Sequence, residues 1–150
     1  MEGNNVSQYP VLDRVCCPAD LKSLDPKELP ALCSDIRQFL LDNISETGGH
    51  LASNLGAVEL TVALQLEYDT AHDRLVFDVG HQCYVHKLLT SRRAGFSRLR
   101  QFGGMSGFPR PDESVHDAFI AGHASTSISA ATGMARARTL LGEDYDVVAG

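Results

Sequence analysis

Three histidines in this chain directly follow a glycine: His50 in TGGHLASNLG, His81 in DVGHQCYVHK and His123 in IAGHASTSIS. Each stands at a junction where a helix is expected to start. Glycine lets the backbone take unusual angles and approach a ligand closely, and a helix N-terminus offers free N–H groups and a partial positive charge. Such a corner suits an anion, in particular a phosphate or diphosphate. A single Gly-His at an element boundary is also an ordinary turn with a convenient polar residue. Three of them between residues 50 and 123 tip the reading toward a shared site. Metal binding is the weaker reading, because His81 and His86 are five apart and His50 and His123 have no carboxylate at ligand spacing.

Other stretches carry less chemistry. GGMSG (103–107) shares only its glycines with a phosphate-binding loop and lacks the Lys-Ser/Thr that would follow, which leaves a flexible lid. SRRAGFSRLR (91–100) is a basic cluster that reads as a solvated helix face. Asp78 either orients a neighbour or caps its turn, and His86 reads as a helix-face residue with no assigned role.

The elements that must hold these residues alternate between helix and strand. In LDPKEL, Asp25 is an N-cap, Pro26 the first helical residue and Glu28 the N3 position, while Pro30 implies a short turn before the main helix. Leu32, Cys33, Ile36, Phe39, Leu40 and Ile44 then recur at helical spacing, and Gly48 stops the helix. A second helix, starting near Ser53 or Asn54 and running through LGAVELTVALQLEY, is apolar on most sides and reads as buried. A strand from Leu75 to Val79, ended by Gly80, leads to a short helix in YVHKLLTSRR.

Residues 95–116 lack periodicity and read as a long loop of the functional or flexible kind. A small-residue helix follows, capped by Ser125 or Thr126 and ended by Gly142, and YDVVA begins a further strand. This order predicts an α/β fold with a parallel sheet flanked by helices. Residues 1–24 read as a loop-rich arm and 25–150 as the domain, which looks cut short because α/β domains seldom stop at the carboxyl end of a strand.

Composition bounds the partners. With 150 residues, 43% of them hydrophobic, the chain has material for one domain with a real core. Thirteen Lys and Arg against nineteen Asp and Glu give a net charge of -6, so no overall basic field is available for nucleic acid or an anionic membrane. The four cysteines form no zinc-type pair of pairs, and adjacent Cys16 and Cys17 are poor partners for each other, so they read as reduced thiols. The start MEGNNVSQYP has neither the basic residues nor the apolar run of a signal peptide, and no apolar stretch nears the roughly 20 residues that span a bilayer. A soluble cytoplasmic protein is the expectation.

Longer words are more specific. TGGHLASNLGAVELTVAL, DRLVFDVGHQCYVHKLLTSRR, RQFGGMSGFPRPDESVHDAF and GHASTSISAATGMARA together resemble the N-terminal domain of the 1-deoxy-D-xylulose-5-phosphate synthase family, thiamine-diphosphate enzymes related to transketolase. LDRVCCPADLKSLDPKELPALCSDIRQFLLDNIS resembles that family's opening segment, so the likeness runs from about residue 9 to 149.

The resemblance implies a transketolase-type transferase, homodimeric when whole. It would join pyruvate to glyceraldehyde 3-phosphate with loss of carbon dioxide, opening the non-mevalonate route to isoprenoids and feeding thiamine and pyridoxal synthesis. The implied contacts to the diphosphate side of thiamine diphosphate fall on His81, Gly122, His123 and Ala124. His50 is the implied residue for substrate positioning and proton transfer, with His123 and Ser53 helping in the same place. In the family a GDG turn follows the last strand and its Asp binds magnesium; here the text reads VVAG, so the implied magnesium ligands lie beyond residue 150. Gln65 and Cys83 stand where the family has His and Ala, changes that look peripheral. The resemblance thus implies the activity for the whole enzyme and an inactive 150-residue chain. Half of a split transketolase-like enzyme, or a non-catalytic module docking on the full enzyme, are the alternatives.

Overall fold

Helix formation begins where the turn chemistry directs it. In the computed structural model, which describes residues 7–150, the Asp25 carboxylate accepts a hydrogen bond from the Lys27 amide at 2.9 Å and Pro26–Glu28 form one 3-10 turn. Pro30 has no N–H to contribute and is accommodated in the first turn of helix α2 (Leu29–Thr47), where amides have no intrahelical partner anyway. The face that α2 buries is the helically spaced set from Leu32 to Ile44 read in the sequence. Gly48 ends it at φ 74°, its N–H reaching the Ile44 carbonyl at 2.9 Å.

Residues 7–24, expected as a loop-rich arm, wrap onto α2 and complete the core. They hold a 3-10 turn at Leu12–Arg14 and a short helix α1 (Pro18–Lys22), and they bury Tyr9, Leu12, Val15 and Leu21. Asp20 caps α1 by accepting from the amides of Cys16 (2.9 Å) and Cys17 (3.1 Å), and Asp35 of α2 accepts from those of Val11 (2.7 Å) and Leu12 (3.1 Å). Leu12, Leu21, Leu32, Ile36 and Leu40 are fully enclosed. Each such side chain contributes about 1.5–3 kcal/mol by leaving water. The first six residues of the expected arm lie outside the described residues.

The single buried helix expected after His50 is two. Helix α3 (Leu51–Gly56) starts as soon as His50 takes the N-cap position, and α4 (Val58–Glu67) follows after a break at Ala57 (φ -103°, ψ 8°). Helix α4 is not buried all round: Val58, Thr61, Val62 and Gln65 face inward, whereas Glu59 and Leu60 face water. Strand β1 (Arg74–Val76) is shorter than the predicted Leu75–Val79, because Val79 turns into the left-handed region at φ 52°.

Helix α5 (Tyr84–Lys87) runs into a wider π turn at Leu88–Arg92, kinked at Thr90 and Ser91, and then a 3-10 stretch at Arg93–Arg98. After the long loop, α6 (Thr126–Leu141) packs against both strands and ends at Gly142, φ 67°. Strand β2 (Val147–Ala149) pairs in parallel with β1, Arg74 opposite Val147 and Val76 opposite Ala149. The α/β class stands, as a parallel pair with helices packed around it. No helix among the described residues is long and apolar enough to cross a membrane.

Candidate active site

The carboxyl end of β1 does not run straight into the His81 turn. Val79, a β-branched residue, is held at φ 52°, ψ 78°, a conformation that costs of order 1–3 kcal/mol and persists only where the surroundings enforce it. That reversal swings Gly80–Gln82 into a 3-10 turn directly over the N-terminus of α3. The rings of His50 and His81 consequently lie face to face, centroids 4.1 Å apart and planes inclined by 32°.

Asn54, fully buried in α3, ties the two corners together. Its Nδ2 donates to the His50 carbonyl at 2.7 Å and the His81 carbonyl at 2.8 Å, and its Oδ1 accepts from the Tyr84 amide at 2.9 Å. Burial, and then the neighbouring His50, lower the His81 pKa below its ordinary value. Gly49 is obligatory for this packing: a methyl group there would stand 3.1 Å from the ring and hydroxyl of Tyr84, and φ is 152°. Ser53 donates to the His50 carbonyl at 3.4 Å, so its hydroxyl serves the first turn of its own helix.

The third Gly-His corner is joined to the second through the backbone. The Gly80 amide donates to the Ala121 carbonyl at 2.9 Å, so close that a β-carbon on residue 80 would sit 2.1 Å from that oxygen. One residue further on, Gly122, His123 and Ala124 are exposed, and Gly122 has open space around it. A second tie runs from Ser127 Oγ, in the first turn of α6, to Asp78 Oδ1 at 3.0 Å. Asp78 therefore orients a neighbour. Ser125 occupies the N-cap position of α6 at φ 68°, but its side chain caps nothing, contrary to the capping expected from it. The structure thus stacks His50 on His81 and brings Gly122–Ala124 alongside by the backbone.

A second polar cluster lies within the molecule, and the sequence reading missed it. Asp117 accepts from both terminal nitrogens of Arg92 (2.6 and 2.8 Å), from His86 Nε2 (2.9 Å) and from the Arg110 amide (2.7 Å). Burial pushes its carboxyl pKa up, but the hydrogen bonds from His86, Arg92 and Arg110 override this and hold it far below the usual range. His86 is fully enclosed; Gln65 Nε2 meets its Nδ1 at 2.8 Å, and burial lowers its pKa. Lys87, also enclosed, pairs with Glu113, which also accepts from Arg92 at 3.2 Å and from the Ser106 amide at 2.8 Å.

Four expectations change here. Arg92 is an internal ion-pair residue and not part of a solvated face, His86 is a core residue, and Gln65 is buried against it and not peripheral. The GGMSG stretch is a packed turn and not a free lid. Met105 is buried against Gly95, and the Arg100 amide donates to its carbonyl at 2.8 Å. The sequence signal for this cluster was available: acidic Glu113 and Asp117 fall four apart in the loop that follows the basic run.

Among the described residues no group of three or more His, Cys, Asp or Glu is placed to hold a metal ion. All four cysteines are free, and burial pushes the Cys83 thiol up to about 12. The candidate site is thus three glycine-histidine corners tied by hydrogen bonds and one ring contact, and the chain's relatives are specific. A family model described as 1-deoxy-D-xylulose-5-phosphate synthase matches residues 12–150. The chain belongs to the 1-deoxy-D-xylulose-5-phosphate synthase family.

Among its curated relatives, the 1-deoxy-D-xylulose-5-phosphate synthase of Caldanaerobacter subterraneus subsp. tengcongensis is 56% identical over 139 residues, covering 93% of this chain and 22% of that protein. The enzyme of that name from Dechloromonas aromatica is 58% identical, and 1-deoxy-D-xylulose-5-phosphate synthase 1 of Geobacter sulfurreducens is 59% identical, each with the same coverage. The chain therefore spans about a fifth (22%) of the length of these 1-deoxy-D-xylulose-5-phosphate synthases.

Proposed function

We propose that this chain is the part of a 1-deoxy-D-xylulose-5-phosphate synthase that receives the diphosphate end of thiamine diphosphate and presents a histidine to the reacting carbon. The whole enzyme would join pyruvate to glyceraldehyde 3-phosphate with loss of carbon dioxide. One observation carries the reading. The Gly80–Ala121 hydrogen bond and the stacked His50 and His81 rings gather three Gly-His corners, far apart in the chain, at the carboxyl end of β1, where α/β folds bind ligands.

The residues present fit an anionic group. Among the described residues the rings of His50 and His81 make no hydrogen bond to protein, so each ring has an N–H available to donate. No side chain caps the first turn of α6, whose amides lie just after Gly122–Ala124. His81, Gly122, His123 and Ala124 would hold the diphosphate. When bound, thiamine diphosphate supplies the electron sink that lets the pyruvate carboxylate leave. His50, at the N-cap of α3, would orient the substrate and hold or move a proton at an imidazole nitrogen, with His123 and Ser53 supporting it. Magnesium would neutralise the diphosphate through ligands outside this chain, and a homodimer is the proposed state of the whole enzyme.

Isothermal titration of the chain with thiamine diphosphate, with and without magnesium, tests the cofactor reading. A coupled assay for the sugar phosphate tests activity. Weak binding and no product are expected. The absence of binding heat in both titrations overturns the cofactor assignment, and turnover above blank overturns the expected inactivity of the 150-residue chain.

A further inference from the structure

Asn54 is the only residue of α3 that is fully buried, and it is polar. A buried carboxamide must find partners, and each one here is a backbone group of the site. Both Nδ2 hydrogens go to carbonyls, those of His50 (2.7 Å) and His81 (2.8 Å), while Oδ1 receives the Tyr84 N–H (2.9 Å). The orientation of the amide is fixed by this set: turned over, an oxygen would face two carbonyl oxygens and an NH2 would face an N–H. The two carbonyls belong to the residues whose rings stack at 4.1 Å, although 27 positions separate His81 from Asn54.

No other polar side chain among the described residues bridges these two turns. We propose that Asn54 is the positioning residue that sets the His50–His81 ring contact. It acts through the two backbones and touches no ligand. Its relevance to catalysis rests on the functional reading above; its geometry does not.

Two substitutions separate this role from space filling. Asn54→Ala removes all three bonds. Asn54→Asp keeps the shape and the acceptor for Tyr84 but donates nothing while ionised, and it sets a carboxylate against two carbonyl oxygens. In the 150-residue chain, histidine ring nitrogens are followed by NMR through a pH titration alongside thermal melting. The titratable group acting on His81 is His50, so separating the rings, and wetting them, moves the His81 pKa up.

Loss of the ring-to-ring NOE is expected in both variants, and a rise of the His81 pKa toward its ordinary value of 6.5 in Asn54→Ala, which introduces no new charge. A folded variant of either kind that keeps the NOE overturns the proposal. Should neither variant fold, hydrogen exchange of the native Asn54 carboxamide decides. Exchange slowed at least about tenfold relative to an exposed carboxamide supports the tether, and exchange at the exposed rate overturns it. Adding thiamine diphosphate to the native chain addresses the functional reading separately: an unmoved His81 resonance counts against cofactor binding, while the variants and the exchange rate decide Asn54.

Discussion

His81 and His86 are five residues apart, on one turn and the helix that follows it, and the protein treats them oppositely. His86 has both ring nitrogens engaged, by Gln65 and Asp117, inside a cluster whose charges are matched by Arg92, Lys87 and Glu113. His81 is stacked on another histidine and has its backbone, not its ring, held by Asn54. A satisfied imidazole is part of the frame; one whose nitrogens are left open is available to a ligand. The two clusters cooperate. Asp117 and Glu113 fasten the loop of residues 99–125 to α5, and that loop delivers Ala121 to Gly80 and so carries Gly122–Ala124 to the site.

The contrast predicts where damage falls. Asp117→Ala should be the most harmful change, because it leaves the buried His86 without its acceptor and the partly buried Arg92 with only the Glu113 carboxylate at 3.2 Å; breaking such a pair costs about 3–5 kcal/mol, to be read from denaturant unfolding. Gly80→Ala comes next. Its methyl would meet the Ala121 carbonyl at 2.1 Å, and overpacking of this kind costs about 1–3 kcal/mol, with a parallel loss of thiamine diphosphate affinity by calorimetry. A Gly80→Ala chain with native stability and affinity would show that the backbone joint between the corners is dispensable.

Acid should attack the frame. His86 is neutral when folded, its pKa lowered by burial, and takes up a proton on unfolding below its ordinary 6.5. Stability is therefore full above about pH 6.5 and falls as the pH drops below it. The lowered Asp117 carboxyl adds a second loss below its ordinary 3.8, since unfolding then binds a proton that the folded state refuses. Melting temperature against pH should decline in these two stages, and Asp117→Ala should shrink the lower one, to which the lowered carboxyls of Asp13, Asp20, Glu59 and Asp112 also contribute. The smallest effect on stability is expected for His81→Gln, within about 0.5 kcal/mol, while thiamine diphosphate binding weakens about tenfold. A large stability loss with unchanged cofactor binding would make His81 a second His86.

Much of the frame was legible because it is set locally. The inward face of α2, the Asp25 cap, the delay at Pro30 and the stops at Gly48 and Gly142 follow from periodicity and turn chemistry, and the structure repeats them. The Gly-His corners were visible as words. What was hidden depends on partners distant in the chain. Asn54 looks like any cap residue until His81 arrives 27 positions later, and Arg92 looks solvated until Asp117 folds back onto it, 25 positions on. Val79 reads as the end of a strand, and only the need to place Gly80 against Ala121 explains its left-handed turn.

By itself the sequence determined the two long helices α2 and α6, the class of fold, the candidate histidines and the family likeness, since these rest on spacing within a few residues or on whole words. Tertiary structure alone decided which histidine is frame and which is left open. A side chain's hydrogen-bonding capacity is a property of its residue type, but whether that capacity is used up depends on the segments that long-range packing brings within 3 Å of it.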